Sequence, residues 1–312
     1  MSETFLSGFV GIVGPTNSGK STLTNALVGE KVSITSPLPQ TTYHSIRGIV
    51  NGPNFQAVLT DTPGFQKQGD TIPRLLNKVA DQSAKDCDLL IWVFDASHSR
   101  MMGQILKLKS KISQLKPKEK SFLVLNKVDR VAKPDLLPLL QELSALDVFQ
   151  EIIPISAKKK DGLPSIMKII LDNLPEGPAM YPRDSFTDRK QNFLISEFIR
   201  EKIYRTTREE IPYCARVEIE EWSDVNSPEG NEGDRAAKEK VPTVRAIIHV
   251  DSDSRKGILI GKMGHQLKEI GTKAREDIEK MLGHQICLKL FVSLDREWRK
   301  DANGLNKYLE LS

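Results

Sequence analysis

The sequence predicts an α/β protein in two parts: a mostly parallel sheet with helices on both faces, followed by a smaller α+β domain. Three observations carry that reading. In the first half, short and continuously apolar runs alternate with helix-like segments, the pattern of strands covered on both sides. A stretch dense in proline and turn residues, "LPEGPAMYPRDSFTD" (174–188), then interrupts the chain. Beyond it the order of elements changes to α-β-β-α-α-β.

The strands of the first part are "FVGIVG" (9–14), "FQAVLTD" (55–61), "DLLIWVFD" (88–95), "SFLVLNK" (121–127) and "EIIPIS" (151–156), and the helix "STLTNALVG" follows the first of them. A parallel sheet of this kind binds its ligands beyond the carboxyl ends of the strands. Pro175, Pro178 and Pro182 forbid a helix through the interruption, so the domains are expected at 1–173 and 190–312 with a linker at 174–189. The second domain reads as a helix "RKQNFLISEFIREKIYRTT", a strand "YCARVEIEEW", a polar loop from about 223 to 240, and a strand "VRAIIHV". Two helices, a last strand "ICLKLFVSL" and a basic, aromatic tail complete it.

At 312 residues and 39% hydrophobic content the chain has material for two cores. Cys87, Cys214 and Cys287 lie far apart and the five histidines show no metal spacing, which argues against a zinc site or a disulfide framework. No apolar run is long enough for a spanning helix and "MSETFLSGFV" lacks the basic flank of a signal peptide, so a cytoplasmic protein is expected. The net charge of +4 conceals a contrast: residues 209–234 hold nine acids and one base, whereas residues 255–275 hold six bases and one acid. An anionic partner should meet the second stretch.

"GPTNSGKS", Gly14 to Ser21, matches GxxxxGK[ST] between a strand and a helix, the context a phosphate loop requires. Its amides, from Gly14 through Asn17, Ser18 and Gly19 to Thr22, face phosphate oxygens at a helix N-terminus. Lys20 neutralises the β and γ phosphates and the Ser21 hydroxyl ligates magnesium. "NKVD" (126–129) selects the base: the Asp129 carboxylate accepts from guanine N1–H and the exocyclic amine, neither of which adenine offers. Lys127 packs its stem on the base, and Asn126 either contacts the base or braces the phosphate loop. "ISA" (155–157) puts the amides of Ser156 and Ala157 within reach of guanine O6. "DTPG" (61–64) supplies Asp61, which holds magnesium through water, and the Gly64 amide, which senses the γ-phosphate. Thr41 or Thr42 completes the magnesium shell, with Thr42 favoured. Phe65 stands where some GTPases carry a water-orienting glutamine, and the adjacent Gln66 is not aimed by its position in sequence. Slow intrinsic hydrolysis is expected, with Asn17 ligating a potassium ion that supplies positive charge.

A second glycine-lysine step, "GILIGKMGHQLKEIG" (257–271), fails as a phosphate loop because its spacing is wrong and Met263 replaces the metal-binding hydroxyl. What remains is a GxxG, Gly261 to Gly264, between two short helices, the signature of a KH module that lets backbone approach a single strand of RNA. Lys262 and Met263 lie inside the turn; Lys262 adds a charge contact, and Lys256 and Lys268 add longer-range attraction. Lys273 and Arg275 read as a solvated helix face.

These motifs, with "QTT", "FIREKIY" and the final "LKLFVSLDREW", resemble the Era family of bacterial GTPases over nearly the full chain. The resemblance implies a Ras-like G domain followed by a type II KH domain. It further implies binding of GTP or GDP with magnesium, contact with the 3′ end of 16S ribosomal RNA, and a role in assembly of the 30S subunit. A monomer with peripheral association at the inner membrane is implied as well. The chain departs from the family pattern in switch I, where Tyr43 in "QTTYHS" takes the place of an arginine. Two other readings compete: an RNA chaperone with structural nucleotide, and a GTPase of an RNA-modification pathway whose KH fold docks protein.

Overall fold

The computed structural model describes residues 4–65, 71–116, 120–207, 210–223 and 241–296. Gln66, the polar loop over 224–240 and the basic, aromatic tail lie outside them. The chain divides into two compact units, Met1–Arg189 and Lys190–Ser312.

The first unit is built on a six-stranded sheet of β1 (Leu6–Val13), β2 (Ile46–Gly52), β3 (Phe55–Asp61), β4 (Leu89–Asp95), β5 (Ser121–Asn126) and β6 (Glu151–Pro154), ordered β2-β3-β1-β4-β5-β6. All neighbours are parallel except β2, which pairs antiparallel with β3 at the edge. Continuous apolarity has its expected cause. Leu89, Ile91 and Val93 of β4 face one core, with Leu23 and Leu27 of α1 (Lys20–Val28) and Ile166, Ile169 and Ile170 of α5 (Leu163–Asn173). Leu90, Trp92 and Phe94 face the other. There they meet Ala80 and Ala84 of α2 (Thr71–Lys85), Ile105 and Ile112 of α3 (Met101–Leu115) and Leu143 of α4 (Lys133–Ser144). A strand buried on both faces has no solvent side to carry polar residues.

The segment read as a linker is instead held on this first unit. Gln56 of β3, fully buried, accepts from the amides of Met180 and Tyr181 at 2.7 and 2.9 Å and donates to the Tyr181 carbonyl at 2.9 Å. The Ile49 amide donates to Phe186 O, the Thr187 hydroxyl to Arg47 O, and Arg189 to Ser45 O. Its prolines stop a helix, but its remaining amides and carbonyls complete the exposed side of β2.

The second unit has the order α6 (Gln191–Thr206), β7 (Arg216–Ser223), β8 (Thr243–Val250), α7 (Asp253–Ile260), α8 (His265–Leu282) and β9 (Cys287–Leu294). β7 pairs antiparallel with β8, and β8 parallel with β9. Here the period is two: Val244, Ala246, Ile248 and Val250 are buried while their alternates are half-exposed. Ile270, Ala274 and Ile278, at helical spacing, are the buried stripe of α8, and α6 packs against α8 and β7.

Candidate functional site

The nucleotide cleft forms where β1, β3, β4 and β5 end. The chain leaves β1 through Gly14 at φ 144°, where a Cβ would stand 2.3 Å from the Val93 carbonyl oxygen, so no other residue fits. Asn17 at φ 59° and Gly19 at φ 97° turn it into α1. Lys20, buried, donates from Nζ to the carbonyls of Gly14 and Pro15 at 3.3 and 2.8 Å. Burial pulls its amine down to about 8, with Asp61 acting in the opposite sense. The Ser18 hydroxyl is buried without a hydrogen-bond partner, and Thr22 lies in the first turn of α1.

Asp61 ends β3 with no exposed surface, and neither carboxylate oxygen has a hydrogen bond of good geometry, although the Ser21 and Ser33 hydroxyls lie near enough to act on it. Burial raises its pKa, against which the nearby Ser21 hydroxyl, the Lys20 charge and the Ser33 hydroxyl act. A carboxylate in this condition is costly unless a cation comes to it. The hydroxyls of Ser21 and Thr42 lie 3.1 Å apart. One carboxylate and two hydroxyls suit a hard, oxygen-seeking ion that also takes phosphate oxygens, so these residues fit magnesium. Thr41 does not join them: its hydroxyl donates to Leu38 O at 3.0 Å. Tyr43 and His44 are buried, so the side chain at the arginine position packs inward.

The chain after Asp61 runs against the phosphate loop. A Cβ on Gly64 would come 2.7 Å from Thr16 N and Cα, and the Phe65 amide donates to Gly14 O at 3.0 Å. The Phe65 ring is 9% exposed, stacked on Trp92 at 5.8 Å, with Lys111 Nζ 4.2 Å from its centroid. It belongs to the core rather than to the cleft.

Asn126 is bonded to the phosphate loop. Its Nδ2 donates to Ser18 O at 2.9 Å, and its Oδ1 accepts from the amides of Lys127 and Ala157 at 2.8 and 3.1 Å. Gly19 is required beneath it, because a Cβ there would stand 2.2 Å from Nδ2. Lys127, at φ 64°, donates from Nζ to Asn17 O and to Asp95 Oδ2, both at 2.7 Å. Asp129 is exposed and accepts from the Ser156 hydroxyl at 2.7 Å, a bond that holds its carboxyl below the usual range. Both "ISA" amides are engaged within the protein. Ser156 N–H donates to Asp161 O, and Ala157 N–H is taken by Asn126. The Ser156 hydroxyl, separately, is the donor that holds Asp129. Sequence reading passed over Asp95, whose one signal is its place at the end of a strand that faces the cleft.

In the second unit the GxxG turn joins α7 to α8. Gly261, Met263 and Gly264 all have positive φ, at 72°, 52° and 76°. A Cβ on Gly261 would meet Gln266 Cβ at 2.6 Å, and Gln266 in turn donates to Thr206 O at 3.0 Å, tying the start of α8 to the end of α6. The turn pushes Met263 outward, 98% exposed, beside exposed Lys262. Lys268 is exposed on α8 and Lys256 half-buried on α7. Lys273 and Arg275 pair with Glu269 and Glu279 one turn away, as a solvated face does.

Residues 9–127 match the family described as "50S ribosome-binding GTPase", and residues 210–299 match "KH domain". Fold and site thus define a P-loop GTPase that carries a KH domain. The chain is 40% identical over 308 residues to GTPase Era of Heliobacterium modesticaldum, covering 98% of this chain and 97% of that one. It is 40% identical over 307 residues to GTPase Era of Syntrophus aciditrophicus, with coverage of 97% and 95%. Two solved structures of Era superpose with a TM-score of 0.87, each covering 98% of both chains. One, 34% identical, is a complex with MgGDPNP and nucleotides 1506–1542 of 16S ribosomal RNA; the other, 35% identical, is a substituted Aquifex aeolicus Era bound to GDP.AlF4−. This chain belongs to the Era family of GTPases.

Proposed function

We propose that the first domain binds and hydrolyses GTP in the cleft between Lys20 and Asp129, and that its nucleotide state governs whether the KH domain holds the 3′ end of 16S ribosomal RNA during 30S assembly. The observation that carries this is the outward GKMG turn, its glycines and Met263 at positive φ, in a chain that also has a complete nucleotide cleft. The Era complex with MgGDPNP and 16S RNA nucleotides supports it. Asp129 accepts guanine donors, with Ser156 fixing the carboxylate. Lys127 packs on the base, and Asn126 keeps the phosphate loop closed. Lys20 gives up its two carbonyl acceptors for phosphate oxygens, and the Gly64 amide donates to the γ-phosphate. Magnesium, held by Ser21, Thr42 and Asp61, would neutralise the charge that gathers on the phosphate oxygens.

With Phe65 in the core, no side chain at that position orients the attacking water, and Asn17 with a potassium ion supplies charge in its place. GTP turnover should run faster in potassium than in sodium buffer; equal rates would remove the role of Asn17. The proposed location is the cytoplasm, as a monomer that visits the inner membrane peripherally. Among the described residues no helix is long and apolar enough to cross a membrane.

Crosslinking to total RNA with a GTP analogue or GDP bound tests the whole reading. Recovery of the 16S 3′ end in the GTP-analogue state alone is expected. Equal recovery in both states would reduce the protein to an RNA binder with structural nucleotide.

A further inference from the structure

The geometry points to Asp95 as a positioning residue for guanine binding, one that fixes the Lys127 side chain so that its stem lies flat under the base. The inference rests on the reading of Lys127 as the base-packing side chain. Asp95 closes β4 in register with Asn126, one strand from the base-recognition motif, and the Ala96 amide donates to Asn126 O at 2.8 Å. Its two oxygens divide their work. Oδ1 accepts from the Ser97 amide and hydroxyl at 3.0 and 2.7 Å, which locks the carboxylate plane, and Oδ2 is left for Lys127 Nζ at 2.7 Å.

Lysine has a flexible four-carbon stem, and a lysine side chain free in solution samples many rotamers. Here Nζ is clamped between two acceptors from different elements, the Asn17 carbonyl of the phosphate loop and the Asp95 carboxylate. Both ends of the stem are therefore fixed, since the backbone of Lys127 is itself held at φ 64° by Asn126. The pair is partly sheltered, with side chains 18% and 15% exposed, so the charge-assisted bond is not fully screened. Burial acts to raise the Asp95 pKa, but its bonds to Lys127 and Ser97 outweigh it and hold the group ionised.

The test is a double-mutant cycle on GDP affinity and release rate, with Asp95→Asn, Lys127→Met and both together. Asparagine preserves the shape and the Oδ1 acceptor for Ser97 while removing the charge. Asp95→Asn alone should weaken GDP about tenfold, mainly through faster release, and should raise KM for GTP more than it lowers kcat. In the Lys127→Met background the same change should add less than about twofold. Full additivity would overturn the inference, because Asp95 would then act on the fold and not through Lys127. If Lys127→Met leaves GDP affinity unaltered, the reading of Lys127 on the base fails and takes this inference with it.

Discussion

Lys20 is charged in solution at neutral pH, yet the cleft buries it, and burial lowers its pKa to about 8 despite its two carbonyl acceptors and the nearby Asp61 carboxylate. Phosphate oxygens would restore the charge, so GDP binding should draw a proton from solvent, increasingly so as the pH rises through that pKa. In magnesium-free buffer, uptake of a fraction of a proton is expected at about pH 8.5, clearly larger than at about pH 7. Calorimetry in buffers of different ionisation enthalpy reads this directly, and zero uptake at the higher pH would show that Lys20 is already charged in the empty cleft. Lys20, Asp61 and Asn126 were legible because each belongs to a short contiguous motif whose spacing encodes its place. Asp95, the inward turn of Tyr43 and the retreat of Phe65 onto Trp92 were not, since each depends on which strand or helix comes alongside. The same limit applies to the Ser156 and Ala157 amides: sequence put them near the base, but could not show that Asp161 and Asn126 accept from them in the folded chain.

The sheet's parallel strands announced themselves by unbroken apolarity, while β2, with Gly48 and Gly52 in seven residues, did not. Gly48 is there because α1 crosses close by; a Cβ would meet Val28 at 2.7 Å and Thr24 at 3.1 Å. Prolines correctly marked 174–189 as irregular, but irregular backbone still has donors and acceptors to satisfy. Gln56, a buried polar residue near the start of an apolar strand, was the available signal for where they go. Replacing it with alanine would leave two amides and a carbonyl of the Met180–Tyr181 segment without their acceptor and donor. A loss of about 2 to 4 kcal/mol in unfolding free energy is expected, well above a surface change. Urea titration followed through the first domain checks it, and a shift below about 0.5 kcal/mol would mean that water replaces the amide.

At the scale of the whole chain, two units with separate cores imply that one site can be removed without the other. Glycine substitutions are a poor way to do it, because Gly261→Ala brings a clash with Gln266 and strain at φ 72°, and so confounds folding with binding. Lys262 and Met263 are better targets, being exposed at the tip of the turn. Changing both to aspartate turns an attractive tip into a repulsive one in a segment where residues 255–275 carry six bases and one acid. Aspartate also tolerates the positive φ that Met263 already accepts. RNA affinity should fall by more than about tenfold, and the slope of log affinity against log salt should flatten by about one unit for the lost lysine contact. GDP affinity and RNA-independent GTP turnover should stay within about twofold, since no residue of the cleft is touched. Retained RNA affinity in the double variant would move the RNA site off the GKMG turn and leave the KH fold as a protein-docking surface.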